Sequence, residues 1–332
     1  MKIFKCLLSA FLTLGGIANL EAGYVFKNGR FIHTQEIATQ PMHVHYNLGV
    51  QAYNQENWHE AAKQFHIVTS NFSSSSWAQE ALFFLGVANF QLEEFELANR
   101  AFTEYLSAHG CPEHFETAIE YKFAIAEKFR EGARRHLLGT KQLPKWASGE
   151  SLALQIYDEI IVAVPSLDIA AQALYSKGLY LWELKEFRES VESFQLLIRR
   201  FPKHELVPES YVAISQVYLD QSSAELQNPD ILAFAEVNKR KFEKDFPGEE
   251  RLLEVEANVV KIKEIYARGL FETGSFYERK GYPKAAAIYY QNTIAKFPGT
   301  QIAERCRKRL FALGACSDVK LATGKLNGTA EF

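Results

Sequence analysis

The sequence predicts an all-α protein, a solenoid of about five to six helix pairs that ends in a capping helix. The first observation is a pattern that occurs twice, 37 residues apart, as Gly49, Trp58, Ala61, Phe65 and then Gly86, Phe95, Ala98, Phe102. The second is an aromatic residue followed by proline, which recurs at 201–202, 246–247 and 297–298. Because proline cannot continue a helix, each of these dipeptides predicts a helix end.

The repeated pattern suits two antiparallel helices in close contact. Small residues on both helices, such as Gly86 and Ala98, let the helices approach, and the ring of Phe102 fills the space between them. A repeat length of about 34 to 37 residues is typical of tetratricopeptide (TPR) arrays. The pattern therefore resembles a TPR protein, which implies a right-handed superhelix.

The N-terminus has the features of a secretory signal peptide over residues 1–22. Lys2 and Lys5 precede an apolar run over 6–17, and Ala22 offers a cleavage point before Gly23. A buried first helix is the alternative. Export predicts a periplasmic protein, and the association with the outer membrane is implied by the family resemblance described below. Cys6 lies before the apolar run, so it is a poor site for a lipid anchor, and membrane association is expected through partners.

The next segments predict an N-terminal TPR module over 43–166. A polar linker at 23–42, with little regular structure, leads into repeats at 43–72 and 77–109. The serine run 73–76 supplies N-cap oxygens for the second repeat. The third pair, 115–130 and 152–163, is interrupted by an insertion at 132–150 that contains glycine, proline and basic residues.

A C-terminal TPR module is predicted over 167–316. The fourth repeat follows the same pattern through Gly178, Phe187 and Phe194. The helices of the fifth and sixth pairs are expected at 211–219, 231–245, 250–280 and 284–296. A basic helix at 301–313 can cap the array, and the tail at 317–332 is expected to be disordered.

Composition excludes some classes of function. The chain has 332 residues, a net charge of −3 and a pI of about 6.3, so it lacks the basic surface of a nucleic-acid-binding protein. No run of about 20 apolar residues follows the leader. Beyond Cys6 the cysteines are Cys111, Cys306 and Cys316, and a disulfide between the last two and free thiols are equally open.

The sequence contains no motif for catalysis, and we predict no enzyme, no cofactor and no bound small molecule. Four histidines, His43, His45, His59 and His66, lie near the first helix pair. Their spacing lacks supporting carboxylate or cysteine ligands, so we predict no metal site.

Two surfaces are the candidate sites. Same-face positions on the first helix of a TPR line a concave groove, and counting from the glycines gives Tyr46, Val50, Tyr53, Phe83, Val87, Phe90, Tyr175, Leu179 and Trp182. The alternative is that the linker or neighbouring repeats bury this stripe. The second surface is a basic cluster in the final repeat, with Arg268, Arg279, Lys280 and Lys284, which is either solvated or a docking face for an acidic partner.

The region 256–309 resembles the C-terminal part of BamD, the TPR component of the outer-membrane β-barrel assembly machinery. The residues that carry the resemblance are the run 276–282, Ala285-Ala286 and the run 297–300. The first repeat and the interrupted third pair also match the order of features in that family. The chain departs from it in lacking the lipid-attachment cysteine and in its greater length.

The resemblance implies a non-enzymatic scaffold. Its C-terminal repeats, here with Arg279 and Lys280, would dock a barrel-forming assembly protein. Its N-terminal groove, here with Tyr46, Tyr53, Phe83 and Phe90, would bind unfolded outer-membrane proteins. The alternative function is a periplasmic TPR adaptor of the cell-wall or envelope machinery, similar to the coordinator of the Tol-Pal system.

Overall fold

The computed structural model describes residues 24–27, 30–33, 37–107, 112–139, 141, 143–225 and 228–314. Within these ranges thirteen α-helices follow one another, with only two short strand pairs, and the predicted all-α fold is confirmed. The helices are α1 (Met42–Asn54), α2 (Trp58–Asn71), α3 (Ser76–Gln91), α4 (Phe95–Leu106), α5 (Phe115–Arg130), α6 (Glu150–Ala163), α7 (Asp168–Glu183), α8 (Phe187–Arg200), α9 (Leu206–Ala224), α10 (Pro229–Asp245), α11 (Leu252–Arg279), α12 (Pro283–Lys296) and α13 (Gln301–Ala312). None of the described helices is both long and apolar enough to cross a bilayer.

Several predicted segments lie outside the described residues. These are the leader at 1–22, the tail at 317–332, Cys111 and Cys316. Cys306 is a free thiol on the buried face of α13, and its burial raises the pKa of the thiol. Pairing between Cys306 and Cys316 therefore stays untested.

The linker before α1 is more regular than predicted. Strands β1 (Tyr24–Lys27) and β2 (Arg30–His33) pair antiparallel, with Tyr24 opposite His33 and Lys27 opposite Arg30. The expectation of little regular structure was therefore wrong for this segment. Two residues, Asn-Gly in the sequence, separate the strands, and this dipeptide is the strongest short hairpin signal.

Helix α9 is longer than predicted, since it occupies Leu206–Ala224 rather than 211–219. Pro208 lies in its first turn, where the missing N–H would have no helical partner in any case. Ser222 lies beyond the predicted end of the helix at residue 219, but it is buried, and its hydroxyl donates to the Leu219 carbonyl at 2.7 Å. Polar residues near the C-terminal end of α9 therefore made its last turn resemble a loop in the sequence.

The chain forms two compact units that divide between Ala153 and Leu154, inside α6. The sequence predicts this division after residue 166, between the two TPR modules. Unit 1 contains α1 to α5, and its core is built from residues such as Phe65, Val68 and Ala81. Unit 2 contains α7 to α13, with one core around Phe194 and Val217 and a second around Tyr290.

A glycine of one helix meets a ring of the next in four helix pairs, always 16 residues later. These glycine–ring pairs are Gly49 with Phe65 and Gly86 with Phe102 in unit 1, and Gly178 with Phe194 and Gly274 with Tyr290 in unit 2. A Cβ on any of the four glycines would lie 2.7 or 2.8 Å from a ring carbon. The ring therefore occupies the space that a side chain would need, and this is the contact that the repeated pattern predicted.

The turns that follow these four glycine-bearing helices share the same conformation. The middle residue of each turn lies seven positions after the glycine and has a left-handed backbone, with φ of 56° at Glu56, 57° at Glu93, 65° at Lys185 and 80° at Gly281. The next amide donates to the carbonyl five residues back at 2.9 Å in all four turns, as in a Schellman motif. Three of the four turns hold a residue other than glycine in this region, at a cost of about 1 kcal/mol each.

Polar side chains cap the first turns of α3 and α13, and the cap of α3 was predicted. The Ser75 hydroxyl accepts from the Ala78 amide at 3.1 Å at the start of α3, which confirms the predicted N-cap in the serine run. Thr300 does the same for Ala303 at α13, and the Glu264 carboxylate of α11 accepts from the Ile302 amide at 3.3 Å. Helix α13 packs on α12 and α11 through Ile302, Cys306 and Leu310, so it covers the last helix pair.

Candidate functional site

Three of the six groove residues predicted in unit 1 are buried. Tyr46, Phe83 and Val87 are 7%, 6% and 2% exposed. The Tyr46 ring packs edge-on against Trp77, with centroids 4.6 Å apart. The Phe83 ring stacks on His114 at 4.3 Å and contacts Tyr105 at 5.5 Å. These three side chains hold the helices together and offer little open surface.

The other three, Val50, Tyr53 and Phe90, are partly exposed. Tyr53 packs edge-on against Phe84 at 5.1 Å, and Phe90 packs against Tyr121 of α5 at 5.2 Å. Burial raises the pKa of Tyr53, and the Tyr121 phenol adds to the rise. We call Val50, Tyr53, Phe90 and Tyr121 the unit-1 aromatic face.

Tyr121 was missed at the sequence level. The groove positions were counted from the glycine of each repeat, and α5 contains no glycine. Its ring stacks on Phe102 at 5.2 Å, with the ring planes 11° apart, which fixes it beside the second helix pair. Without a glycine, the sequence of α5 offers no reference residue from which the position of Tyr121 could be counted.

In unit 2 the predicted residues Tyr175, Leu179 and Trp182 are all partly exposed. Burial raises the pKa of Tyr175, whose ring packs edge-on against Phe194 at 5.5 Å. Leu179 and Trp182 line a cavity of about 660 Å³ where the ends of α7 and α9 meet the start of α8. The indole N–H of Trp182 donates to the Asp220 carboxylate at 2.9 Å. We call this space the Trp182 cavity.

The four predicted docking residues, Arg268, Arg279, Lys280 and Lys284, are exposed. No described residue forms an ion pair with any of the four. The Lys280 ammonium lies 5.8 Å from the Phe276 ring centroid, and Phe276 and Tyr282 are 48% and 63% exposed. We call Phe276, Arg279, Lys280, Tyr282 and Lys284 the terminal patch.

Several other basic residues of the last repeat are already paired. Arg309 binds the Glu278 carboxylate through two nitrogens, which holds the pKa of Glu278 below its ordinary value. Lys263 pairs with Glu236 at 2.8 Å, and Arg307 pairs with Glu304. Lys261, Arg305 and Lys308 also form no ion pair with a described residue, so what distinguishes the terminal patch is that its cations lie beside exposed rings.

The insertion in unit 1 is an ordered segment held on α4. Its strands β3 (Arg135–His136) and β4 (Lys145–Ala147) pair antiparallel, with a 3-10 turn at Leu137–Gly139 between them. Arg135 binds Glu96 at 2.9 Å, and Lys145 donates to the Glu93 carbonyl at 2.9 Å.

His136 is the centre of this anchor. One ring nitrogen lies 2.7 Å from Glu94 Oε2, and the other lies 2.5 Å from the Leu143 carbonyl oxygen. Both neighbours are acceptors, so both contacts are hydrogen bonds only when the ring carries two protons. Burial raises the pKa of Glu94, but hydrogen bonds from His136 and Lys145 outweigh it, and the net pKa lies below the ordinary 4.5.

We predict that Glu94→Gln loosens the insertion at neutral pH. The lowered pKa means that the ionised carboxylate stabilises the fold above about pH 4.5 and that this contribution is lost as pH falls through the folded-state pKa. Loss of charged hydrogen bonds costs about 2 kcal/mol, so amide exchange over 135–147 should be about 30-fold faster than in the wild type at pH 7. The ratio should approach one as pH falls below the folded-state pKa of Glu94.

Glu104→Gln is the matched control, because Glu104 is an exposed acid of α4, the helix that Glu94 precedes. It should leave exchange in the insertion unchanged. Equal exchange in the wild type and Glu94→Gln at pH 7 would show that the carboxylate does not hold the segment.

The histidines of the first helix pair do not converge. His45 is buried and lies 2.7 Å from the Gln64 side-chain oxygen. His66 lies 3.5 Å from the Ser70 hydroxyl. In the part of the chain that the structure describes, no three potential metal ligands lie together.

Two stretches of the chain match the tetratricopeptide repeat family, residues 46–115 and residues 171–204. They cover the pairs α1–α2, α3–α4 and α7–α8, which are therefore tetratricopeptide repeats. No curated protein matches the chain.

Solved structures that are similar include a TPR repeats protein from Bacteroides fragilis, at 11% identity and a TM-score of 0.41, covering 83% of this chain and all of that one. Another is a tetratricopeptide repeat protein from Parabacteroides merdae, at 12% identity and a TM-score of 0.34, covering 80% of this chain and 97% of that one. A third is YrrB, described as a TPR protein with an unusual peptide-binding site, at 14% identity and a TM-score of 0.35, covering 68% and 94%. Likenesses this distant do not bear on function.

Proposed function

We propose that this chain, with its tetratricopeptide repeats, is a non-enzymatic scaffold of the outer-membrane protein assembly machinery. In this role it is exported to the periplasm, joins a barrel-forming assembly protein and binds unfolded outer-membrane proteins. The general role, that of a scaffold for protein–protein interaction, follows from the repeats themselves. The observation that supports the specific role in outer-membrane protein assembly is the terminal patch, where exposed rings lie beside unpaired cations.

The terminal patch has the composition of a protein-docking surface. Phe276, Arg279 and Lys280 follow one another at i, i+3 and i+4, so they lie on one face at the end of α11. Tyr282 and Lys284 continue the patch across the turn into α12. Aromatic residues and arginine are enriched in protein interfaces, and unpaired cations favour an acidic partner.

The unit-1 aromatic face supports the binding of unfolded chains. Its tyrosine and phenylalanine rings provide contact area with little loss of side-chain entropy. Rings of this kind accept an extended segment that carries aromatic or aliphatic side chains. Its smaller area, relative to the predicted groove, follows from the burial of Tyr46, Phe83 and Val87.

The experiment is capture of partners from a detergent-solubilised envelope of the source organism with the tagged full chain. The wild type should recover a barrel-forming protein that carries periplasmic repeat domains. The double reversal Arg279→Glu with Lys280→Glu should reduce its recovery at least about tenfold, because two attractive charges become repulsive.

Lys241→Glu with Lys244→Glu is the matched control, since both lysines are exposed on α10 of the same unit and the change in net charge is equal. Recovery should then equal that of the wild type. Recovery of wall-bound lipoproteins without a barrel protein would contradict the proposal and favour the envelope adaptor. Equal loss in both double variants would assign the effect to net charge.

A further inference from the structure

We propose that the Trp182 cavity is a binding site for an arginine or lysine side chain of an extended polypeptide. The inference rests on the proposed binding of polypeptides and names the side chain that unit 2 selects. It begins from the position of the cavity, which lies within a single compact unit and is formed by α7, α8 and α9.

Part of the cavity lining is apolar and aromatic. Leu179 and Trp182 come from the last two turns of α7, and Phe187 is the first residue of α8. The volume of about 660 Å³ is larger than one side chain requires, so an arginine stem can lie against these three residues while the rest of the peptide passes outside. A guanidinium or ammonium group over an indole also gains cation–π attraction.

The charged side chains of the lining are mostly acidic. Glu183 and Asp220 contribute two carboxylates, and Lys185 contributes the single cation among the lining residues. Helices α7 and α9 end at the cavity with partial negative charges, whereas α8 begins there with a partial positive charge, so the helix ends alone do not decide the preference. The Asp220 carboxylate beside the indole is the group that favours a cationic side chain over a neutral or acidic one.

Trp182 and Asp220 are fixed against each other before any ligand arrives. The indole N–H donates to one carboxylate oxygen of Asp220 at 2.9 Å. This bond leaves the other oxygen for a second donor, and it places the carboxylate at the edge of the indole, near the ring plane. An arginine provides both a flat apolar stem for the indole and N–H donors for the carboxylate.

The test follows the indole N–H resonance of Trp182 by NMR while two peptides are added to the full chain. The probes are acetyl-Gly-Val-Arg-Val-Gly amide and the same peptide with citrulline in place of arginine, which keeps the shape and removes the charge. Trp182→Phe assigns the resonance among the four tryptophans. We expect a saturable shift of this resonance, with a millimolar dissociation constant for the arginine peptide and binding at least about tenfold weaker for the citrulline peptide.

Asp220→Asn keeps an acceptor oxygen for the indole and removes the charge, so it should reduce the preference for arginine to about threefold or less. Glu189→Gln removes an exposed carboxylate from α8 outside the cavity and should keep the full preference. Equal affinity for both peptides, no shift with either, or an unchanged preference in Asp220→Asn would overturn the assignment. None of these results touches the capture experiment on the terminal patch, so the two proposals fail separately.

Discussion

Gly274→Ala should destabilise unit 2 by about 2 kcal/mol, although alanine is the better helix former. The added Cβ would lie 2.7 Å from Tyr290 Cε1 and 3.3 Å from Tyr289 Cβ, so the two helices would have to separate. Overpacking of this kind costs about 1 to 3 kcal/mol, which exceeds the gain of up to about 1 kcal/mol from replacing glycine inside a helix. Urea unfolding of the full chain, followed by circular dichroism, measures the change.

Gly269→Ala is the matched control on the same helix. A Cβ at Gly269 would meet nothing within 4 Å, so this variant should be as stable as the wild type or up to about 1 kcal/mol more stable. The same chemical change should therefore differ in sign between two positions five residues apart on α11.

A double-mutant cycle separates the ring contact from other effects. Tyr290→Leu alone should destabilise, because the hydroxyl donates to Glu278 at 2.8 Å and the ring fills the core. The double variant Gly274→Ala with Tyr290→Leu should lose less stability than the sum of the two single losses, since leucine leaves room for the new methyl group. Full additivity would show that the glycine and the ring do not share the space.

Phe83→Ser should cost about 4 kcal/mol and unfold much of unit 1. The ring is 6% exposed and packs among Phe102, Tyr105 and His114, so its removal leaves a cavity and buries a hydroxyl. Thermal unfolding monitored by circular dichroism, together with urea titration, measures the loss.

Phe90→Ser is the companion variant, from the same helix α3. Phe90 is partly exposed, so the substitution should cost less than half as much and leave the fold intact. It should weaken the binding of an aromatic-ended peptide by unit 1 if the aromatic face binds unfolded chains. Similar stability losses in the two variants would mean that Phe83 and Phe90 do not differ in packing as described.

Periodicity predicted the helices because helix boundaries depend on near neighbours in sequence. Helix α5 was expected at 115–130 and lies at Phe115–Arg130, and the contacts of Gly49 and Gly86 with their rings follow from spacing alone. The burial of the predicted groove residues could not be predicted from spacing along the chain. Phe83 and Tyr175 hold equivalent positions relative to their glycines, but His114 stacks only on Phe83. That contact brings together residues 31 apart, beyond any local pattern.

The anchor of the insertion was missed for a related reason. His136 meets Glu94 across 42 residues, and Glu94 alone has the sequence features of a solvated charge before a helix. The hairpin before α1 was different, because its Asn-Gly signal is local and was available. Long-range pairing thus explains the site residues that counting could not find, whereas the hairpin was overlooked.

The glycine–ring pairs also determine where the chain can change its length. In each of the four helix pairs that contain one, three residues join the helices, because the left-handed turn and the 16-residue spacing must both be satisfied. Neither α5 nor α9 contains a glycine, and their connections to the next helix run over 131–149 and 225–228. We therefore expect insertions and deletions to be tolerated in helix pairs that lack a glycine–ring pair. A single residue added between a glycine and its ring would rotate the ring away from the glycine.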